Sequence, residues 1–144
     1  MEIRLAKTAG FCFGVNRAVE LTYNLLNEGH KVATLGPLIH NPQAVEDMRR
    51  KGAQVVNTVQ DVPAGCEVVI RSHGVPRSIY DELESRGIPY HDATCPFVQK
   101  IQRIAAQAEK EGAVLLVAGD KTHPEVQGLS LIHISEPTRL DVIS

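Results

Sequence analysis

Tryptophan is absent from this 144-residue chain, and the aromatic residues together make up only 4% of it. Stacking platforms for nucleic-acid bases are therefore not expected. Lys and Arg number 15 against 17 Asp and Glu, a formal net charge of -2. No basic field of the kind that phosphate-backbone binding requires is present, so no nucleic-acid partner is expected. Apolar runs are short, as in Val114 to Ala118, so no membrane span is expected. The opening Met1-Glu2-Ile3-Arg4 has no apolar h-region and does not read as a secretory signal. Cysteines number 3, an odd count at low density. That argues against a disulfide scaffold and for a reducing, cytoplasmic setting, and it leaves a metal or cluster site open.

What is present is a chain of one-domain size, 43% hydrophobic, with enough apolar residues for a sizeable core. Short β-rich runs alternate with helical stretches. Strands are expected at Ile3–Ala6, Lys31–Leu35, Gln54–Val56, Glu67–Arg71, Pro89–His91 and Ala113–Ala118. Helices are expected at Val15–Asn27, Pro42–Lys51, Pro76–Arg86 and Pro96–Glu111, several led by Pro and followed by Gly29, Gly52, Gly87 and Gly112. This alternation predicts βαβ units and a parallel-sheet α/β fold, with right-handed crossovers setting all strand C-termini on one edge.

The reactive residues gather at that edge. Cys12, His40, His73, Cys95 and His123 each fall just beyond an expected strand C-terminus, most of them just before a helix. Open α/β sheets bind ligands there, and helix starts offer free N–H groups to thiolates and phosphates. Each residue also has a plainer reading: a lone cysteine is often a small buried hydrophobe, and a loop histidine a surface group. Glycines around Cys12, in Gly10-Phe11-Cys12-Phe13-Gly14, permit close backbone approach, and the two Phe side chains are expected to exclude water. Cys66 lies on the opposite edge and reads as structural, while His30 and His91 read as surface residues. Glu125, two residues after His123, is a candidate proton donor. Spacing alone permits both a Cys₂His₂ zinc site and a partial iron–sulfur site. No P-loop and no G-x-G-x-x-G occur.

Five motifs come in order: Ala9-Gly10-Phe11-Cys12-Phe13-Gly14-Val15, Gly36-Pro37-Leu38-Ile39-His40-Asn41-Pro42, Arg71-Ser72-His73-Gly74-Val75, Asp92-Ala93-Thr94-Cys95-Pro96 and His123-Pro124-Glu125-Val126. Together they resemble the N-terminal part of the IspH/LytB family, the 4-hydroxy-3-methylbut-2-enyl diphosphate reductases, over residues 1 to about 128. The resemblance implies a three-domain α/β fold around a 4Fe–4S cluster, each domain giving one cysteine. It implies reductive removal of an allylic hydroxyl, forming isopentenyl and dimethylallyl diphosphates, with ferredoxin or flavodoxin as electron donor. Carried over residue by residue, Cys12 and Cys95 are implied cluster ligands, and His40, His73 and His123 diphosphate contacts. Glu125, with His123, is the implied acid of the proton path. Cys66 falls in no family ligand motif and is expected not to bind the cluster.

The family runs to roughly twice this length, so its third cluster cysteine and the remaining diphosphate contacts are expected outside this chain. Residues 1–95 are expected to form the first α/β domain, with residues 1–13 able to pack on a later one, and residues 96–128 to begin a second, similar domain. From Leu129 the resemblance ends. Leu129-Ser130-Leu131-Ile132-His133-Ile134-Ser135-Glu136-Pro137-Thr138-Arg139 is similar to the frame translation of a transposon-end sequencing adapter. Residues 129–144 are therefore expected to be a non-native tail, and the chain alone inactive. Two other readings stay open: a zinc hydrolase using Cys12, Cys95 and histidines, and a non-catalytic α/β interaction domain.

Overall fold

The computed structural model describes residue 4, residues 10–120 and residues 123–130. Among these, β1 (Val32–Leu35) is buried along its whole length, and β3 (Glu67–Ile70) from Val68 onward. Strands apolar on both sides suit the interior of a parallel sheet covered on both faces. The two pair in parallel, Ala33 opposite Val68 and Thr34 opposite Val69. β2 (Gln54–Val56) adds to the outer side of β1, and β4 (Tyr90–Asp92) to the outer side of β3, also in parallel. The order is β2-β1-β3-β4.

Side chains alternate across this sheet and feed two cores. On one face Val32, Val69 and Ala93 meet Ala18, Val19 and Leu25 of α1 (Phe13–Asn27) and Met48 of α2 (Pro42–Arg50). On the other, Ala33, Leu35, Val68 and Ile70 meet Val59, Cys66 and Leu83, the last from α3 (Arg77–Ser85). The helix ends follow their local chemistry. The Asn41 side chain accepts the Ala44 N–H at 3.0 Å, Pro42 occupies the first turn of α2, and Arg49 and Arg50 lie in its last turn. Past α1, Gly29 turns with φ 87°, a conformation glycine adopts without penalty.

Differences from the sequence expectations are local, with one exception. Pro76 precedes α3 rather than opening it. A 3-10 turn at Val59–Asp61, capped reciprocally by Thr58 and Asp61, and the short α5 (Pro124–Ser130) were not expected. The expected strand Ile3–Ala6 lies outside the described residues except for Arg4, which carries no strand. The exception is Ala113–Ala118, which forms no strand and leaves Val114 88% and Leu116 80% exposed. A strand requires neighbours for its N–H and C=O groups, and no described strand pairs with this run. It follows α4 (Pro96–Lys110), whose Phe97, Ile101 and Ile104 are also exposed. No helix among the described residues is long and apolar enough to cross a membrane.

Candidate active site at the carboxyl edge of the sheet

The chain runs from β1 outward to β2, then crosses back to β3 on the other side of β1. The C-terminal ends of β1 and β3 are thus the point where the winding reverses, and a crevice opens there in such sheets. His40 comes from the β1–α2 connection and His73 from the β3–α3 connection. Their rings stand 6.0 Å apart, and the His123 ring lies 5.9 Å from His73, edge-on at 85°. Three histidines distant in sequence therefore form one row with His73 in the middle. A cavity of about 320 Å³ beside it is lined by Phe11, Val15, Ile39, His40, Asn41 and His73.

Burial holds the His73 pKa below the usual histidine value of 6.5; Glu125 opposes that shift, and Arg71, His123 and His40 reinforce it. A desolvated ring among positive neighbours resists protonation. The Glu125 backbone N–H donates to His123 Nδ1 at 3.3 Å. In the neutral ring this leaves the proton on Nε2, free to be donated.

Cys12 and Cys95 are the N-cap residues of α1 and α4, and neither thiol caps its helix. Gly14 brings the two helix starts together. A β-carbon built on it would stand 2.7 Å from both Cβ and Sγ of Cys95, so only a residue without a side chain permits this approach. The turn carrying Cys95 is held from several sides. Asp92 Oδ1 accepts the Thr94 N–H at 2.8 Å and also the Thr94 hydroxyl. The Tyr80 hydroxyl donates to Asp92 Oδ2 at 3.2 Å, and burial pushes its pKa up to about 12, so it stays a donor. Arg17 donates to the Thr94 carbonyl at 3.1 Å, and the Cys95 N–H to the Ser72 carbonyl at 2.9 Å. That last bond ties the cysteine turn to the residue beside His73.

Cys66 is buried in the second core where β3 begins, at the far edge of the sheet. His30 and His91 do more than sit on the surface: each bonds Glu67 at 2.6 Å. The expectation for the flanking aromatics is corrected, because Phe11 is 43% and Phe13 65% exposed. Cys12 beside them is itself exposed among the described residues. Nor do three or more His, Cys, Asp or Glu side chains among the described residues stand close enough to hold a metal ion. Any metal or cluster on the two thiols would need further ligands.

A family model described as LytB protein matches residues 3–139. The chain belongs to the LytB family. The match runs past Val126, the last residue of the five motifs, and past Gly128, where the resemblance was expected to end. Among LytB relatives, a protein of Caldanaerobacter subterraneus subsp. tengcongensis named 4-hydroxy-3-methylbut-2-enyl diphosphate reductase is 44% identical over 134 residues, covering 90% of this chain and 46% of its own. Its namesake in Citrifermentans bemidjiense is 45% identical over 129 residues, with the same coverage. The solved structure of (E)-4-hydroxy-3-methyl-but-2-enyl diphosphate reductase, described as the terminal enzyme of the non-mevalonate pathway, superposes with TM-score 0.78 at 41% identity, over 90% of this chain and 46% of that one. The Plasmodium falciparum reductase superposes with TM-score 0.82 at 27% identity, over 88% and 40%. The chain spans about half the length of the curated relatives it matches.

The sequence reading overlooked Arg17, Arg71, Ser72, Asp92 and Thr94 as parts of the site. All but Arg17 fall inside the motifs that carry the LytB resemblance, which was the available signal. Their roles depend on contacts between motifs, and no single motif displays those.

Proposed function

We propose that this chain supplies the N-terminal half of an enzyme that reductively dehydroxylates 4-hydroxy-3-methylbut-2-enyl diphosphate, in the cytoplasm and without nucleic-acid or membrane partners. The observation that carries the reading is the convergence of the His40–His73–His123 row and the Cys12 and Cys95 helix starts on one sheet edge. Membership of the LytB family and the names of the relatives support it. Residues 1–95 form the first domain in this reading, and residues 96–128 begin the second. Residues 129–144 are an adapter-derived tail; the intact genomic locus tests this, since an open frame encoding the same tail would refute it.

The donor set fits an iron–sulfur cluster: two thiols at helix N-termini, where N–H groups favour thiolate, with Gly14 clearing space beside the Cys95 sulfur. Cys12 and Cys95 would be two of its protein ligands. When bound, the cluster supplies electron transfer and a Lewis-acidic iron. The chain's own residues bind and protonate. His40, His73 and His123 donate hydrogen bonds to the diphosphate, and the ring held neutral at rest takes up a proton as the anion arrives. Glu125 gives a proton to the departing hydroxyl, which leaves as water as the allylic C–O bond breaks. Two electrons, from a ferredoxin or flavodoxin, and a second proton to carbon complete the balance.

Joining residues 1–128 to the C-terminal half of the Caldanaerobacter relative, with anaerobic purification, tests this. Iron, sulfide and turnover of the allylic diphosphate are expected. Cys12→Ser or Cys95→Ser should lose iron, and Cys66→Ser should not. His123→Ala and Glu125→Gln should keep iron and lose turnover. Zinc in place of iron would favour the hydrolase reading, and turnover untouched by Cys12→Ser and His123→Ala would favour an interaction domain.

A further inference from the structure

We propose that Arg71 is a further anion-binding residue of this site, supplying a permanent positive charge to the diphosphate beside His40 and His73. The proposal rests on reading the histidine row as a diphosphate site. Arg71 is the first residue beyond β3, at the reversal of the winding. Its side chain is partly buried, and Nε is sequestered from solvent with no hydrogen-bond partner. No carboxylate among the described residues pairs with it. A buried N–H without a partner is costly, and buried polar groups in native proteins are normally satisfied. The free Nε–H of a cationic side chain at this edge suits an anion bound there.

The surrounding loop leaves room for this group. A β-carbon on Gly36 would stand 3.3 Å from Arg71 Nη1, and Gly36 turns with φ 72°. The guanidinium thus lies along the start of the loop that carries His40. The charge balance also calls for it. The groups acting electrostatically on His73 are Glu125, Arg71, His123 and His40. Only Arg71 among them stays positive at every physiological pH, because a guanidinium does not deprotonate in proteins. A diphosphate carries more negative charge than neutral imidazoles can offset, and the planar fork of Arg matches phosphate oxygens in pairs.

The experiment titrates the fusion of residues 1–128 to the C-terminal half of the Caldanaerobacter relative with inorganic pyrophosphate at pH 8 by calorimetry, and follows the His73 ring by NMR. The wild-type fusion is expected to bind. Arg71→Met is expected to weaken binding about tenfold to a hundredfold, the range for charge-assisted hydrogen bonds. Without ligand, the His73 titration midpoint should rise in Arg71→Met, which checks that the guanidinium stands beside the ring. Equal affinities of wild type and Arg71→Met overturn the role of Arg71 and leave the diphosphate reading standing. Failure of the iron-loaded wild-type fusion to bind pyrophosphate overturns both. If Arg71→Met does not fold, Arg71→Gln decides: it keeps a polar side chain but not the charge, so weakened binding supports the proposal and unchanged affinity overturns it.

Discussion

At Gly14 the absence of a side chain decides whether two cysteines can approach. Gly14→Ala would set a methyl 2.7 Å from Cys95 Cβ and Sγ, closer than carbon atoms tolerate. The α1 start or the Cys95 turn must then shift, at a cost of about 1–3 kcal/mol. A lower urea midpoint with unchanged slope is the expected result. The pH behaviour of His73 follows from the direction of its shift. Its folded pKa lies below the unfolded 6.5, so the unfolded chain binds more protons in that window and stability falls as pH drops through 6.5. An NMR titration should place the His73 midpoint below 6.5, and His73→Gln should flatten this part of the stability profile. Glu67 has a lowered pKa, set first by His91 and then by His30. Its contribution is present above 4.5 and fades as pH falls through the lowered value. Glu67→Gln should remove that acid limb in thermal melts recorded from pH 6 to pH 3.

At the scale of elements, the connection after β1 does two tasks. It turns the chain at Gly36, and it starts α2 with Asn41 next to His40. Asn41→Ala removes the acceptor for the Ala44 N–H and should cost about 1 kcal/mol, read as a shift in the denaturant midpoint. Because Asn41 also lines the cavity beside His40 and His73, the same variant should shift the His40 ring resonances. Much of this was legible in the sequence. The Asn–Pro start of α2, the glycine stops and the apolar runs of β1 and β3 are written in windows of a few residues, and the elements formed where those windows placed them. Ala113–Ala118 shows where such reading stops. Its composition suits a strand, but strand formation depends on a neighbour, and none is present among the described residues.

At the scale of the molecule, α4 carries more exposed large apolar side chains than any other described element. Only Ala105 is buried along it, while Phe97, Ile101 and Ile104 are open, as are Val114 and Leu116 just beyond. A contiguous apolar surface of this kind drives association. The chain should bind a hydrophobic dye and self-associate with rising concentration. The pair Ile101→Lys and Ile104→Glu should reduce both without lowering the melting temperature. Sedimentation velocity and dye fluorescence give the answer.

The sequence by itself determined the α/β class, the positions of most helices and strands, and the placing of His40, His73 and Cys95 after strand ends. These depend on local propensity, hydrophobic periodicity and the special backbone chemistry of glycine and proline, all of which act over a few residues. The tertiary structure alone decided the β2-β1-β3-β4 order that puts His40 and His73 across one crevice. It also decided the contact of Gly14 with Cys95, the sharing of Glu67 by His30 and His91, and the burial of the Arg71 Nε without a partner. Each of these depends on which distant segments pack together, and that is settled by the total burial and hydrogen bonding of the assembled sheet.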